Sequence, residues 1–469
     1  MNLPDLNEAK KRNNEKVEFL YVDPVKSDKF SNRTYYIKTY GCQMNVHDSE
    51  EISGILENLG FTKTEEMEDA DLVILNTCAI RENAHDKLFG FLGICKHIKA
   101  ERKDRPLTVC LCGCMAQEPV VIEKIKNTYK CVDLIFGTHN IHELPNYLLN
   151  LSGNMDIEVK SNEGNVFEVG EVYKRDSNIS AWVNIMYGCN KFCTYCIVPY
   201  TRGKERSRKS SDILREVNCL KEKGYKEVTL LGQNVNAYGT DNDEEISFAE
   251  LLESVAKTGI ERIRFVTSHP WNFTDEMINV IAKYDNIMPY IHLPLQSGSN
   301  SILKLMGRRY TKEEYKELYD KLKSTIPNVA ITTDIIVGFP NETDSDFKDT
   351  MDMVDYCKYD GAYTFIYSPR VGTPAAKMKD SVPMEVKEER LQELNKLVNK
   401  YSLMNNKKLL NKKVKVLLSG ISEKDSNKLY GYTDTMKLVN VECDKSLIGT
   451  IQEVTIIDAK SFSLDGVIK

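Results

Sequence analysis

At 469 residues, with 28% charged and 41% hydrophobic side chains, the chain has a globular composition and is too long for one ordinary core, so two to four domains are expected. A net charge of -6 excludes a chain that is basic throughout, and any nucleic-acid contact must come from local patches. No apolar run approaches the roughly 18 residues of a membrane span, and thirteen cysteines, an odd number, favour metal or redox chemistry over a disulfide framework.

Residues 1–33 carry no apolar core of a signal peptide and read as a polar extension, so a cytoplasmic protein without membrane contact is expected. From 34 to 150, short β-rich runs, "RTYYIKTY", "DLVILNT", "LTVCLCG" and "VDLIFG", alternate with amphipathic stretches. One of these is "HDSEEISGILENLG", where Asp48 or Ser49 can cap a helix. Such alternation predicts βαβ units on a parallel sheet. Residues 151–178, rich in Gly, Asn and charge, read as a linker.

Between 179 and 400 six strand candidates recur, "AWVNIMY", "EVTLLG", "RIRFVT", "MPYIHL", "VAITTDIIVGF" and "AYTFIYS", with helical patterns between them. This predicts a partial (β/α)6 barrel with its active site at the C-terminal ends of the strands. From 402 to 469, alternating strands punctuated by Gly, Asn and Asp predict a small antiparallel β-barrel. The fold class is therefore α/β: an N-terminal parallel-sheet domain, a partial barrel and a small C-terminal barrel.

Two sets of cysteines stand out. "YGCNKFCTYCIVPYTRG" places Cys189, Cys193 and Cys196 on the loop above the first barrel strand. A structural zinc site would need a fourth thiolate or imidazole, and none follows within ten residues. Three thiolates suit three irons of a four-iron cluster and leave the fourth iron open to a ligand. In the first block, Cys42, Cys78 and Cys114 stand 36 residues apart each time, each just beyond a different strand, where ligands of open α/β sheets bind. Cys110 and Cys112 compete with Cys114 as the third member. Cys114 is preferred because it lies beyond Gly113 in the turn, whereas the other two share a strand face.

Further polar residues fall at barrel strand ends: Gly232, Gln233 and Asn234, Ser268, Gln296 and Ser297, Asp334, and Tyr367 with Arg370. Amide and hydroxyl groups there could bind a cofactor or simply satisfy the rim. His269 and His292 read as core histidines. Arg202, Lys204, Arg206 and Arg208 follow the cysteine loop, and beyond residue 400 eleven lysines stand against eight acids, with Tyr430 and Tyr432 near a turn. Both regions are candidates for phosphate contact, and the tyrosines for base stacking.

The spacing C-x3-C-x2-C, with Tyr195 before its last cysteine, resembles that of the radical S-adenosylmethionine enzymes. The ordered motifs "KTYGCQMN", "ILNTCAIRENA", "GCMAQE", "TSHP", "HLPLQSGSNSILKLMGRRYT", "DIIVGFPNET" and "YSPRVGTPAA" resemble the methylthiotransferase family from residue 34 onward. This resemblance implies two 4Fe-4S clusters, an auxiliary one on Cys42, Cys78 and Cys114 and a radical one on Cys189, Cys193 and Cys196. It implies S-adenosylmethionine as cofactor, for which Tyr195 and the strand-end residues are the candidate contacts by position, and an RNA-binding TRAM domain as the tail. The implied reaction is methylthiolation of C2 of N6-isopentenyladenosine at position 37 of tRNA, next to the anticodon. One cofactor molecule donates the methyl group and a second is the radical source. A flavodoxin-like or ferredoxin-like electron donor and a monomer are expected. The alternatives are a relative acting on threonylcarbamoyladenosine or on a ribosomal protein, and an RNA-binding protein whose clusters do not turn over.

Overall fold

The computed structural model describes residues 7, 17–79, 82–102, 104–160, 165–169 and 173–468. Its first unit is a six-stranded sheet in the order Thr62–Lys63, Thr34–Tyr40, Leu72–Thr77, Thr108–Gly113, Leu134–Phe136, Asp156–Glu158, with every neighbouring pair parallel. "LVILNT" has no polar alternation because both faces of its strand are covered. Val73 and Leu75 pack under Leu88, Leu92 and Ile98 of helix Glu82–Glu101, whereas Leu72 and Ile74 pack under Ile52, Ile55 and Leu56 of helix Gln43–Asn58.

Three sequence expectations change here. Helix Gln43–Asn58 begins five residues before Asp48, with Cys42 at its N-cap, so Asp48 and Ser49 are buried within the helix and cap nothing. The 151–178 stretch is more than a linker: Asp156–Glu158 closes the sheet edge, and Val166–Val169 forms a strand. Within the 1–33 extension, Phe19–Val22 pairs in parallel with that second strand, from Phe19↔Val166 to Val22↔Val169. These strands are only three or four residues long, and Phe19–Val22 and Val166–Val169 lie more than a hundred residues apart, so no local pattern announces them.

The second unit contains six strands in chain order, Ser180–Asn184, Glu227–Leu231, Arg262–Phe265, Tyr290–His292, Ala330–Val337 and Gly361–Ile366. Two parallel three-stranded sheets meet at the parallel bridge Ile263↔Ile287, which continues the order through all six. Ala181, Val183, Val228, Leu230, Ile331 and Ile335 face the surrounding helices, among them Ser210–Glu222, Lys312–Thr325 and Asp344–Cys357. Capping boxes at Ser247/Glu250, Thr311/Glu314 and Thr343/Asp346 start three of the helices where the sequence places a hydroxyl three residues before an acid.

After the 24-residue helix Met384–Lys407 the chain ends in a closed five-stranded barrel. Its strands are Lys413–Ser422, Asp425–Thr433, Leu438–Glu442, Ile451–Ala459 and Leu464–Val467. Four of its seams are antiparallel, and Leu438–Glu442 pairs with Leu464–Val467 in parallel. Two buried arginines of the third strand of the second unit hold it in place. Arg262 donates to the Tyr432 and Lys415 carbonyls and pairs with Asp434, and Arg264 donates to the Thr433 and Asp434 carbonyls while pairing with Glu227. No helix among the described residues is long and apolar enough to cross a membrane.

Candidate active site at the seam of the two α/β units

The cysteine loop is clamped at its base. Met186–Tyr187 pairs antiparallel with Arg206–Ser207, and between them Gly188 has a φ of 72° with the Lys204 carbonyl only 1.9 Å from where a Cβ would stand. Only glycine fits there. The Cys189 amide donates to the Gly203 carbonyl at 3.1 Å, and the Cys196 amide donates to the Cys193 carbonyl at 2.9 Å. Burial raises the Cys189 and Cys196 thiols, Cys196 to about 12, and the neighbouring sulfurs add to the effect. A thiol so placed stays protonated until a metal ion reverses the local electrostatics. Arg308 supplies the compensating cation, its Nη1 donating to Cys193 Sγ at 3.5 Å.

Cys42, Cys78 and Cys114 follow three adjacent strands whose ends are in register, Tyr40 with Thr77 and Thr77 with Gly113. Three thiols in such a row span about two strand spacings, or roughly 10 Å. Gly113, at φ 93°, turns the chain so that Cys114 opens a short 3-10 turn. There Cys114 joins Ala79 and, from the cysteine loop of the second unit and the turn after it, Phe192, Ile197 and Tyr200 in one apolar cluster. Cys110 and Cys112 instead point into the core beneath helix Gln43–Asn58, and burial pushes both thiols up. Cys42 lies below the ordinary thiol value, chiefly through a hydrogen bond from Cys78 and, opposing burial, the charge of Arg202.

Arg202 links the two sets. It belongs to the loop of the second unit, is 3% exposed, donates through Nε to Cys114 Sγ at 3.1 Å, and forks onto Asp48 at 3.3 and 2.5 Å. The basic run after the cysteine loop is therefore not a free phosphate-binding patch. Arg202, Lys204, Arg206 and Arg208 are all buried; Arg208 pairs with Glu216, and Arg206 donates to the Arg202 carbonyl. In the tail, Lys413, Lys428, Lys437 and Lys460 are ion-paired, whereas Lys412, Lys415, Lys424 and Lys445 are exposed with no such pair among the described residues. Tyr430 and Tyr432 meet edge to face at 6.1 Å beside them.

The barrel mouth holds the polar residues anticipated from the sequence, in different states. Gln233 accepts the Gly188 amide at 2.6 Å, Ser268 donates to the His292 carbonyl, and Ser297 caps its own turn through the Ser299 amide. These three are engaged within the protein, and Gly232 is packed so tightly that a Cβ would meet Met186 Cγ at 2.6 Å. Asp334 pairs with His292 at 3.3 Å, and Tyr195 packs edge-on against Phe339. Five buried side chains, one at the end of each of five strands, keep polar atoms without a partner: Asn184, Asn234 Oδ1, His269 Nε2, Gln296 Oε1 and the Tyr367 hydroxyl. Buried polar atoms left unbonded in such a ring fit a polar ligand seated among them. Four non-glycine residues at the same mouth, Phe192, Thr267, Gln296 and Arg309, hold left-handed backbone, the kind of strain that gathers at functional sites.

Among the described residues no three His, Cys, Asp or Glu side chains stand close enough for a single metal ion. A four-iron cluster asks for something else, one thiolate to each of three separate irons, and a row about 10 Å long suits that better than a mononuclear site. Arg202 and Arg308 are the residues that sequence reasoning did not connect to the sulfurs. Each is remote in sequence from the sulfur it touches, Arg202 by 88 residues from Cys114 and Arg308 by 115 from Cys193, and no spacing rule links those pairs.

Comparison with known proteins decides the family. The chain matches the Radical SAM superfamily over residues 183–354, Uncharacterized protein family UPF0004 over 34–137 and the TRAM domain over 407–469. It is 54% identical over 470 aligned residues, 99% of its length and 91% of the relative's, to tRNA-2-methylthio-N(6)-dimethylallyladenosine synthase of Staphylococcus aureus strain MRSA252, with the same figures for strain Newman. The chain belongs to the tRNA-2-methylthio-N(6)-dimethylallyladenosine synthase family. Within this synthase family the radical SAM match implies a 4Fe-4S cluster and S-adenosylmethionine. Among solved structures it resembles the radical S-adenosylmethionine methyltransferase TsrM from Kitasatospora setae. The form with cobalamin and a 4Fe-4S cluster gives a TM-score of 0.55 at 13% identity, covering 74% of this chain and 77% of that one. The form with tryptophan and a cofactor analogue gives 0.52. At that identity the likeness speaks to the fold alone.

Proposed function

We propose that this chain methylthiolates C2 of N6-isopentenyladenosine at position 37 of tRNA. Cys189, Cys193 and Cys196 would hold the radical cluster, and Cys42, Cys78 and Cys114 an auxiliary cluster. When bound, the two clusters and two molecules of S-adenosylmethionine would supply the carbon-centred radical, the sulfur and the methyl group that replacement of an unactivated C–H bond requires. The observation that carries the reading is the seam itself. Arg202, from the loop of one triad, hydrogen-bonds the last sulfur of the other, which supports Cys114 over Cys112 as ligand.

The chain's own work is positioning and exclusion of water. Arg308 and Arg202 each place one cationic donor on a sulfur, Cys193 and Cys114 respectively. Asn234 Oδ1, Gln296 Oε1 and the Tyr367 hydroxyl offer free polar atoms to the cofactor, while Gln233 and Glu205 hold the loop backbone through Gly188 and Asn190. Gly232, Ser268, Ser297, Asp334 and Tyr195 shape the rim around them. Residues 34–150 with the edge strand Asp156–Glu158, 179–400 and 402–469 are taken as the three working domains, the last gripping RNA through its exposed lysines. The reading carries with it a cytoplasmic monomer reduced by a flavodoxin-like or ferredoxin-like protein. Mass spectrometry of tRNA nucleosides tests it. Cells lacking the protein are expected to accumulate isopentenyladenosine at the expense of its 2-methylthio form, and an unchanged nucleoside profile contradicts the proposal.

A further inference from the structure

Trp271, one of two tryptophans in the chain, is 50% exposed on the turn Pro270–Asn272 after the third strand of the second unit. Cations from two other loops lie over its ring. Lys191 Nζ, from the cysteine loop, is 4.7 Å from the centroid, and Arg309 Cζ, from the loop that follows helix Asn300–Leu305, is at 5.4 Å. The fold, and not the sequence, brings these three residues together, and Arg309 adopts left-handed backbone (φ 59°) at its place there. Among the described residues neither cation has an ion-pair partner. Glu205, which feels the charge of Lys191, spends Oε1 on the Asn190 amide and on Asn234 Nδ2.

Beneath the indole, His269 Nδ1 accepts the Trp271 amide at 3.2 Å. Burial and the nearby cations keep this ring neutral, so its proton sits on Nε2, a buried donor with no partner. The patch thus offers an aromatic face and two cations without an ion-pair partner among the described residues, while the buried His269 N–H stays on the barrel side. A base stacks on an indole, and phosphates take the cations. An exposed cation–π contact is weaker than base stacking, so an incoming base would displace one cation from the ring and free it for a phosphate.

We propose that Trp271, Lys191 and Arg309 form a contact surface for a nucleotide of the tRNA anticodon loop flanking the modified adenosine. The inference rests on the tRNA reading above and deepens it, because the radical unit itself, as well as the C-terminal barrel, then grips the RNA. Two cations would also attract an acidic protein such as an electron donor, but the aromatic face between them favours a nucleotide.

The test uses the full-length, anaerobically reconstituted enzyme and a stem-loop RNA carrying isopentenyladenosine at position 37. In a Trp182→Phe background Trp271 is the sole indole, and its fluorescence is expected to be quenched as RNA binds. Trp271→Ala should weaken binding about tenfold with an unchanged salt slope, and Trp271→Phe should restore most of the loss. Arg309→Gln should flatten the slope of log K against log salt by about 0.7, one single-stranded phosphate contact. A wild-type protein that does not bind the RNA overturns the tRNA reading. A wild type whose affinity and slope are shared by Trp271→Ala and Arg309→Gln overturns only the surface. Variants that bind RNA normally but are reduced more slowly by a flavodoxin assign the patch to an acidic protein instead.

Discussion

Alanine at Cys189, Cys193 and Cys196 together is expected to halve the iron of the reconstituted protein, from about eight to about four atoms, and to abolish both S-adenosylmethionine cleavage and methylthio transfer. Replacing Cys42 should separate the two activities. The cysteine loop, its Arg206–Ser207 clamp and the unpartnered rim atoms do not depend on Cys42, so cofactor cleavage should persist while transfer is lost. Iron analysis and product chromatography read both results. A triple variant without iron, or with all of it, contradicts two independent clusters, and a Cys42→Ala protein that transfers methylthio groups at the wild-type rate removes the auxiliary site from the reaction. The same measurement on Cys112→Ala and Cys114→Ala tests the third ligand, and loss of the auxiliary iron is expected for Cys114→Ala alone.

Arg202→Met is expected to be the most damaging single change outside the cysteines. It removes the donor to Cys114 Sγ and leaves Asp48, whose side chain is only 6% exposed, as a buried carboxylate without its cation. Breaking a buried pair in this way costs about 3–5 kcal/mol, which should appear as a marked fall in thermal stability. Loss of the sulfur partner should weaken metal binding at the auxiliary triad by about 10–100-fold. The two effects can be separated. Asp48→Asn added to Arg202→Met removes the stranded charge and should recover most of the stability but not the cluster. Recovery of both would mean that Arg202 only holds the two units together, and recovery of neither would mean that Asp48 has another role in the seam.

Much of this was readable in the sequence, for identifiable reasons. The strands of the two α/β units are apolar-rich runs such as "LVILNT", buried on both faces, and "VAITTDIIVGF", in which Ile331, Ile335 and Val337 are buried in the core. The strand-end placement of the two cysteine sets was legible because each cysteine or cysteine loop follows an apolar strand run in the sequence. The start of helix Gln43–Asn58 was misjudged because its N-cap is Cys42, a residue outside the usual capping set, while the polar Asp48 and Ser49 are buried by tertiary partners: Arg202 for the first, Thr39 and Asn76 for the second. The same partners hide the meaning of "TRGKERSR". As a string it is a basic patch, but in the fold Asp48 and Glu216 reach in from elsewhere and convert it into buried struts. The Trp271 patch was invisible for the opposite reason, since its three residues come from three loops.

The central claim is that the seam between the two cysteine triads is where the C2 hydrogen of the RNA adenosine is exchanged for a methylthio group. The most direct measurement uses tRNA whose isopentenyladenosine carries deuterium at C2, incubated with reduced, reconstituted enzyme and S-adenosylmethionine. The account predicts 2-methylthio product with the deuterium recovered in 5'-deoxyadenosine. Methylthiolated product with its deuterium lost to water, or cofactor consumed while the label stays on an unmodified base, would contradict it.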